Sequence, residues 1–217
     1  WNGAENDLKL AIQLKPNDSI AHYRYSQLLT AIGNNAEAIE EIKKASELDP
    51  ISEFILTGNF IVLEQSGNFA ESTKLAEKYW QENKENHAAL RAYASSLFNQ
   101  SEHEKVIEIG EKALEKNQKQ IPWLSLLATS YYKTGNIEKS DEMIKELENQ
   151  SQNNSKALHA VATNYAELGR NDEAIIALQK CFEQREERMI WLKNEPRLAN
   201  LQNDIRFQEI LQKMRLN

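Results

Sequence analysis

The sequence predicts an all-α fold in which antiparallel helix pairs stack into a right-handed α–α superhelix. The 217-residue chain carries only 7 Gly and 4 Pro. Average usage is about 7% and 5%, so turn-rich β folds are disfavoured. Four of the glycines lie at multiples of 34 residues from one another: Gly33, Gly67, Gly135 and Gly169. Ser101 occupies the one position of this series that is not glycine. A constant period of this length is typical of a solenoid built from repeated helical units.

Each period is predicted to hold two short helices. Apolar residues recur three and four positions apart, as in Leu124, Leu127 and Tyr131, which is the spacing of one helix face. The phase-locked glycine follows the first helix, where a left-handed turn is easiest for Gly. Small residues recur in the second helix and would let the pair approach closely; they are Ala4, Ala38, Ser72, Ser140 and Ala174.

The repeat frame divides the chain into five complete units and two flanking segments. Residues 1–18 match the second helix of a unit whose first helix is absent. Residues 189–217 leave the frame and are predicted to form a C-terminal capping segment, which a solenoid needs to cover its open apolar end. The complete units are 19–52, 53–86, 87–120, 121–154 and 155–188.

The capping segment is predicted to contain two helical parts. The first passes through Trp191 and ends before Pro196, because the residue before proline avoids helical geometry. The second starts at an N-cap provided by Asn203 or Asp204. Its apolar residues recur at helical spacing and would cover the last unit; they are Ile205, Ile210, Leu211 and Met214.

The residues indicate no catalytic, metal or cofactor site. The four histidines, His22, His87, His103 and His159, have no second His or Cys at a metal-ligand spacing. Cys181 falls in a core column, which predicts an inert buried thiol. The net charge of −7 disfavours direct binding to nucleic acid. No apolar run approaches the roughly 18 residues of a membrane span.

The repeat unit resembles the tetratricopeptide repeat (TPR), and the match is clearest over residues 21–50, 125–147 and 159–184. In arrays of this family the first helix of each unit lines a concave groove that binds a peptide or a partner helix. The resemblance therefore implies a non-catalytic interaction module with a protein or peptide partner. The predicted groove residues are Tyr23, Gln27, Thr57, Arg91, Ser95, Phe98, Ser125, Thr129, Tyr132, His159 and Thr163.

Some members of the family clamp the C-terminal carboxylate of chaperones with Lys and Asn in this groove. Those residue types are absent from the corresponding positions, so a chaperone-tail receptor is disfavoured. The positions include Tyr23, Gln27, Gly58, Ile61, Ala88 and Ala92.

The capping segment carries a second resemblance, to the C-terminal TPR domain of a group of bacterial signalling proteins. Their N-terminal parts are winged-helix DNA-binding domains, class III adenylate cyclases or serine/threonine kinases. The resemblance implies a regulatory or sensory module whose partners include its own N-terminal output domain. A stand-alone scaffold protein in the cytoplasm or periplasm is the alternative. The residues that carry the resemblance are Trp1, Trp191, Leu192, Lys193, Pro196, Arg197, Leu198, Leu201, Asp204, Arg206, Phe207, Leu211 and Met214.

Overall fold

The computed structural model describes residues 2–82, 84, 86–117 and 120–216, and every element within these residues is a helix. The predicted all-α fold is confirmed. The part of the prediction that concerns Trp1 lies outside the described residues. The chain divides into two compact units, residues 1–96 and 97–217.

The first unit stacks helix on helix in chain order. Its helices are α1 (Asn2–Leu14), α2 (Ser19–Ala31), α3 (Asn35–Leu48), α4 (Glu53–Gln65) and α5 (Phe69–Glu82), followed by α6 (His87–Asn99), which crosses the boundary between the units. Helix α2 packs against α1, α3 and α4, and α4 packs against α5. Fully buried Leu29, Ile42 and Ile55 form the centre of the core between α2, α3 and α4.

The second unit also stacks helix on helix in chain order, and it ends in the capping segment. Its helices are α7 (His103–Asn117), α8 (Ile121–Lys133), α9 (Ile137–Ser151), α10 (Ser155–Glu167), α11 (Asn171–Glu183), two 3₁₀ helices (Glu187–Asn194 and Pro196–Leu201) and α12 (Ile205–Met214). Helix α10 packs against α8, α9, α11 and the second 3₁₀ helix, and α12 packs against α11 and the first 3₁₀ helix.

The turn after each first helix is left-handed, as the glycine phase predicts. The four phase-locked glycines have φ between 74° and 85°, and Ser101 takes the same conformation at φ 62°. Each turn closes with a backbone hydrogen bond that reaches back five residues, as from Asn34 N to Leu29 O and from Glu102 N to Leu97 O. This bond is the mark of a Schellman cap. Ser101 therefore ends its helix as the glycines end theirs.

The small-residue column of the second helices lies in the core. Its members Ala38, Ser72, Ser140 and Ala174 are fully buried, and so is Val106, which interrupts the column. Ala4, the first member of the predicted column, is exposed, so the prediction of close packing is wrong at that position. The Ser140 hydroxyl donates to the carbonyl of Ala128 on α8 at 2.8 Å. Helix α9 therefore packs directly on the backbone of α8.

The capping segment covers the end of the second unit with apolar side chains. Leu192, Leu198, Leu201 and Phe207 are fully buried and join the α10–α11 core. Of the residues predicted to cover the last unit, Ile210 and Leu211 are buried there and Met214 packs against them. The prediction for Ile205 is wrong, because its side chain at the start of α12 is 75% exposed. The stretch through Trp191 is a 3₁₀ helix that ends at Asn194, before Pro196. Asp204 is the N-cap of α12, where it accepts a hydrogen bond from the Arg206 N–H.

Candidate partner-binding groove

The predicted groove residues lie on α2, α4, α6, α8 and α10, which are the first helices of the repeat units. In each compact unit, the surface formed by the first helices is the first-helix face of that unit. Tyr23, Gln27, Thr57, Arg91 and Ser95 belong to the first compact unit. The second unit contains the remaining members: Phe98, Ser125, Thr129, Tyr132, His159 and Thr163.

Tyr23 is the centre of an aromatic cluster in the first unit. Its buried ring meets the ring of Phe54 edge-on, with centroids 4.7 Å apart. The guanidinium of Arg24 lies 5.3 Å from both rings, within range of a cation–π interaction. Gln27 joins Arg24 to Tyr23, because its amide accepts from Arg24 and donates to the Tyr23 hydroxyl, each at 2.9 Å. Gly58 leaves room for the Tyr23 ring, which a Cβ would strike.

Three predicted groove residues of the first unit keep part of their surface open to solvent: Thr57, Arg91 and Ser95. The Thr57 hydroxyl donates to the Glu53 carbonyl of its own helix at 2.8 Å. Ser95 donates to the carboxylate of Glu64 on the neighbouring first helix at 3.2 Å. This part of the face therefore offers hydroxyl, carboxylate and guanidinium groups to an incoming chain.

In the second unit, part of the first-helix face is occupied by Arg197 of the chain's own capping segment. The guanidinium of Arg197 donates to Ser125 Oγ at 2.8 Å and to Thr129 Oγ1 at 3.0 Å. The same group lies 5.2 Å from the ring centroid of Phe98. Three predicted groove residues on two helices thus converge on one arginine from outside the repeats.

Asn164 organises the two hydroxyls that hold Arg197. It is fully buried, donates to Ser125 Oγ at 2.8 Å and accepts from the Thr129 hydroxyl at 2.9 Å. The proton of Thr129 is committed to Asn164, so its oxygen is left as an acceptor for the guanidinium. A further bond to the Ala160 carbonyl at 2.7 Å fixes the amide orientation.

The remaining groove residues of the second unit differ in exposure. His159 and Thr163 are buried, and the Thr163 hydroxyl donates to the Ala160 carbonyl at 3.1 Å. Burial lowers the pKa of His159 to about 3, and the positive charges of Arg188 and Arg197 act in the same direction. The imidazole is therefore neutral near pH 7. Tyr132 is 37% exposed.

Arg197 is a costly residue to bury. Burial lowers the pKa of its guanidinium, and the charges of Glu167 and Glu195 oppose that effect from a distance. Within the described part of the chain no carboxylate forms an ion pair with Arg197, and its Nε has no hydrogen-bond partner. Neutral hydroxyls and an aromatic face replace the usual counter-ion, so hydrogen-bond geometry decides the position of this group.

Sequence reasoning missed the role of Arg197 and of Asn164. Arg197 was identified only as part of the Pro-Arg-Leu stretch of the capping segment, and no local pattern indicates that it reaches α8. Asn164 carried a signal, because it follows Ser96 and Ser130 at intervals of 34 residues, and all three are buried. When polar residues recur at the same buried position of successive repeats, they are expected to form hydrogen bonds with neighbouring helices.

The described residues contain no group of three or more His, Cys, Asp or Glu that could hold a metal ion. Cys181 is fully buried, as predicted, and burial raises the pKa of its thiol to about 12. A thiol with this pKa has little thiolate character and is a poor nucleophile. Among the described helices, none combines the length and apolar character of a membrane span.

Comparison with known proteins identifies the repeats. The family model of the tetratricopeptide repeat matches residues 20–52 and 155–188. No curated protein sequence matches the chain significantly.

Solved structures share the fold at low sequence identity. The chain is similar to TTC0263, a thermophilic TPR protein of Thermus thermophilus, with a TM-score of 0.58, 16% identity, and coverage of 83% of this chain and 99% of that one. Yeast Tom70 is similar with a TM-score of 0.56 and 20% identity; 96% of this chain matches 46% of that chain. PilW, a widely conserved type IV pilus biogenesis factor, has a TM-score of 0.56 and 14% identity over 89% of this chain and 87% of that one.

The repeat phase, the left-handed turns and these structural matches agree. The chain has the fold of a tetratricopeptide-repeat solenoid, and its residues 20–52 and 155–188 match the model of the tetratricopeptide repeat.

Proposed function

We propose that the chain is a non-catalytic module that binds a protein or peptide partner on its first-helix face. The observation that carries the proposal is the capture of Arg197 by Ser125, Thr129 and Phe98. This face already holds one side chain of a non-repeat segment through hydrogen bonds and a cation–π contact. A partner segment would be bound by the same kinds of interaction.

In the first unit, the first-helix face keeps exposed side chains that a partner could contact. Phe54 is 49% exposed beside Arg24 and Tyr23, and Thr57, Arg91 and Ser95 are partly exposed. Aromatic and arginine side chains are enriched among the residues that dominate binding energy. An extended peptide or a helix with apolar and polar side chains suits this composition.

The experiment isolates a binder and then locates its site. Peptides displayed on phage are selected against the 217-residue chain, and the affinity of the best synthetic peptide is measured by isothermal titration calorimetry. The double variant Thr57→Lys/Arg91→Glu should weaken binding at least about tenfold, which corresponds to about 1.4 kcal/mol. Circular dichroism should show unchanged helicity.

The matched control is Lys44→Glu/Gln81→Lys, which makes the same charge changes on exposed positions of the second helices α3 and α5. It should leave the affinity unchanged. If the control variant weakens peptide binding and the first-helix variant does not, the binding surface lies outside the proposed face.

The wider role that we propose is that of the C-terminal regulatory or sensory part of a bacterial signalling or transcription-regulating protein. Its support is the resemblance of the capping segment, from Trp191 to Met214. A stand-alone scaffold is the alternative. The coding sequence upstream of residue 1 in the source genome distinguishes them, because a winged-helix, cyclase or kinase domain there would support the signalling role. Upstream sequence without such an output domain would favour the scaffold.

A further inference from the structure

Arg197 occupies a site with the features of a specific receptor for arginine. We propose that Ser125, Thr129 and Phe98 form a guanidinium-binding site, that Arg197 fills it from within the chain, and that this occupancy excludes a partner's arginine from the second unit. The inference rests on the proposed function only for its last part, the exclusion of a partner.

The two acceptors match the fork of a guanidinium. Ser125 and Thr129 lie four residues apart on α8, so their hydroxyls share one face of the helix. They accept from the two terminal nitrogens of Arg197 at 2.8 Å and 3.0 Å. A planar fork with fixed donors can satisfy both acceptors at once, whereas the single ammonium of lysine cannot reproduce this geometry.

Asn164 holds the acceptors ready. Its amide donates to Ser125 and accepts from Thr129, so the Thr129 oxygen faces the guanidinium with its lone pairs. These two bonds join α10 to α8 and do not involve Arg197. The acceptor pair is therefore expected to persist when the Arg197 side chain is removed.

The site selects by shape and hydrogen bonding rather than by net charge. The two carboxylates whose charges act on Arg197 make other contacts: Glu167 pairs with Lys133 at 3.8 Å, and Glu195 accepts from the backbone N–H of Arg197 at 3.3 Å. The Phe98 ring provides an apolar face for the guanidinium plane. A weakly hydrated guanidinium suits such a neutral site better than a strongly hydrated ammonium.

The capping segment keeps Arg197 in place. Leu198 follows it directly and, like Leu201, is fully buried in the α10–α11 core. This attachment gives Arg197 a high effective concentration at the site. An arginine of a separate partner therefore binds more weakly while the side chain of Arg197 is present.

Chemical rescue tests the site in the full chain. The Arg197→Ala variant should lose thermal stability, and millimolar ethylguanidinium should raise its Tm by about 2–4 °C through binding to the folded state. Ethylammonium at the same concentration should give no increase, and neither ion should raise the Tm of the unmodified chain. An equal response to both ions, or no response to ethylguanidinium, would overturn the proposal.

Two further variants test whether ethylguanidinium raises the Tm by binding at Ser125 and Thr129. Adding Thr129→Val to Arg197→Ala should abolish the response, because one acceptor is lost. The matched control is Arg206→Ala, since the guanidinium of Arg206 is partly exposed and paired with Asp204 at 2.6 Å and Asp172 at 2.8 Å. Carboxylates bind ammonium as well as guanidinium, so this variant should show no preference for ethylguanidinium. A guanidinium-specific response there would contradict the assignment.

A second measurement tests the same specificity for guanidinium if Arg197→Ala does not fold. Arg197→Lys and Arg197→Met are compared in urea unfolding. A guanidinium-specific site predicts that Lys is no more stable than Met, because a buried ammonium reaches only one acceptor. A general cation site would place Lys clearly above Met, and that ranking would refute the proposal.

The exclusion of a partner has its own readout. Phage selection against Arg197→Ala should enrich arginine-containing peptides whose binding is lost with the added Thr129→Val change. The unmodified chain should bind these peptides at least about tenfold more weakly. Equal binding to both chains would refute the exclusion, whereas failure of the Thr57 and Arg91 variants to affect binding would count only against the proposed function.

Discussion

Asn164 accepts a hydrogen bond from the hydroxyl of Thr129, which lies 35 positions earlier in the sequence, at 2.9 Å. Both side chains are fully buried. The bond links α10 to α8 and prepares the hydroxyl that receives Arg197. A polar contact between two first helices therefore supports both the solenoid packing and the site.

Replacing Asn164 by Ala should destabilise the second unit strongly. The change leaves Ser125, Thr129 and the Ala160 carbonyl with one fewer partner each, and a buried polar group without its partner costs about 1–3 kcal/mol. We expect a loss of about 2–4 kcal/mol in urea unfolding, because the partners form one network. The exposed Asn153→Ala control should stay within about 0.5 kcal/mol, and an equally small effect at Asn164 would show that the network adds little stability.

Ser101→Gly should stabilise the chain. Ser101 is held at φ 62°, where an L side chain is strained and glycine is not. The expected gain is up to about 1 kcal/mol, measured as a higher urea midpoint with an unchanged slope. The reciprocal change Gly135→Ser, at φ 85° and the same repeat phase, should lose about 1 kcal/mol. A loss of stability in Ser101→Gly would mean that the serine side chain stabilises the turn in a way that outweighs its strain.

Phe207→Ala should remove much of the stabilising effect of the capping segment. The ring is fully buried in the core that α10 and α11 share with the segment, and such truncations cost about 3–5 kcal/mol. Ile205 lies two residues away and is 75% exposed, so Ile205→Ala should change the unfolding free energy by less than about 0.5 kcal/mol. Equal small effects from both variants would contradict the capping role.

Stability should fall in mild acid because of His159. Burial lowers its pKa to about 3 from 6.5, so between these values the unfolded chain binds a proton that the folded chain excludes. The unfolding free energy therefore decreases as the pH falls through this window. Lowering the pH from about 7.5 to about 5 should cost about 2 kcal/mol, at about 1.4 kcal/mol per pH unit below about 6.5.

His159→Gln tests the origin of this acid sensitivity, since it removes the titrating group. Its unfolding free energy is measured in urea at both pH values. The loss on acidification should be smaller than in the unmodified chain by about 2 kcal/mol. His87 is exposed, and His87→Gln should keep the full dependence. If both variants behave like the unmodified chain, another group is responsible for the acid loss.

The sequence predicted much of the fold because its pattern is local and repeated. The glycine phase identified the left-handed turns, and it marked Ser101 as the position equivalent to the glycines. The core column of Cys181 predicted a buried thiol, which the structure confirms. Each of these features depends on residues within one helix pair, so periodicity is sufficient to find them.

Which residues of the first-helix face contact a partner stays a prediction. The position of a residue within the repeat assigned it to this face, but that position does not determine whether its side chain is exposed. Ser125, Thr129 and His159 are buried, whereas Thr57 and Arg91 keep open surface. Burial is not confined to the unit that holds the capping segment, because Tyr23 and Gln27 of the first unit are buried as well.

The sequence by itself determined the helix pairs, their 34-residue spacing and the need for a cap, because these follow from apolar periodicity and turn chemistry. Only the tertiary structure decided where Arg197 goes. The guanidinium reaches Ser125 across 72 residues of chain, and that contact depends on how Leu198 and Leu201 seat the capping segment in the core. No local pattern encodes such a path, since it results from the packing of the whole second unit.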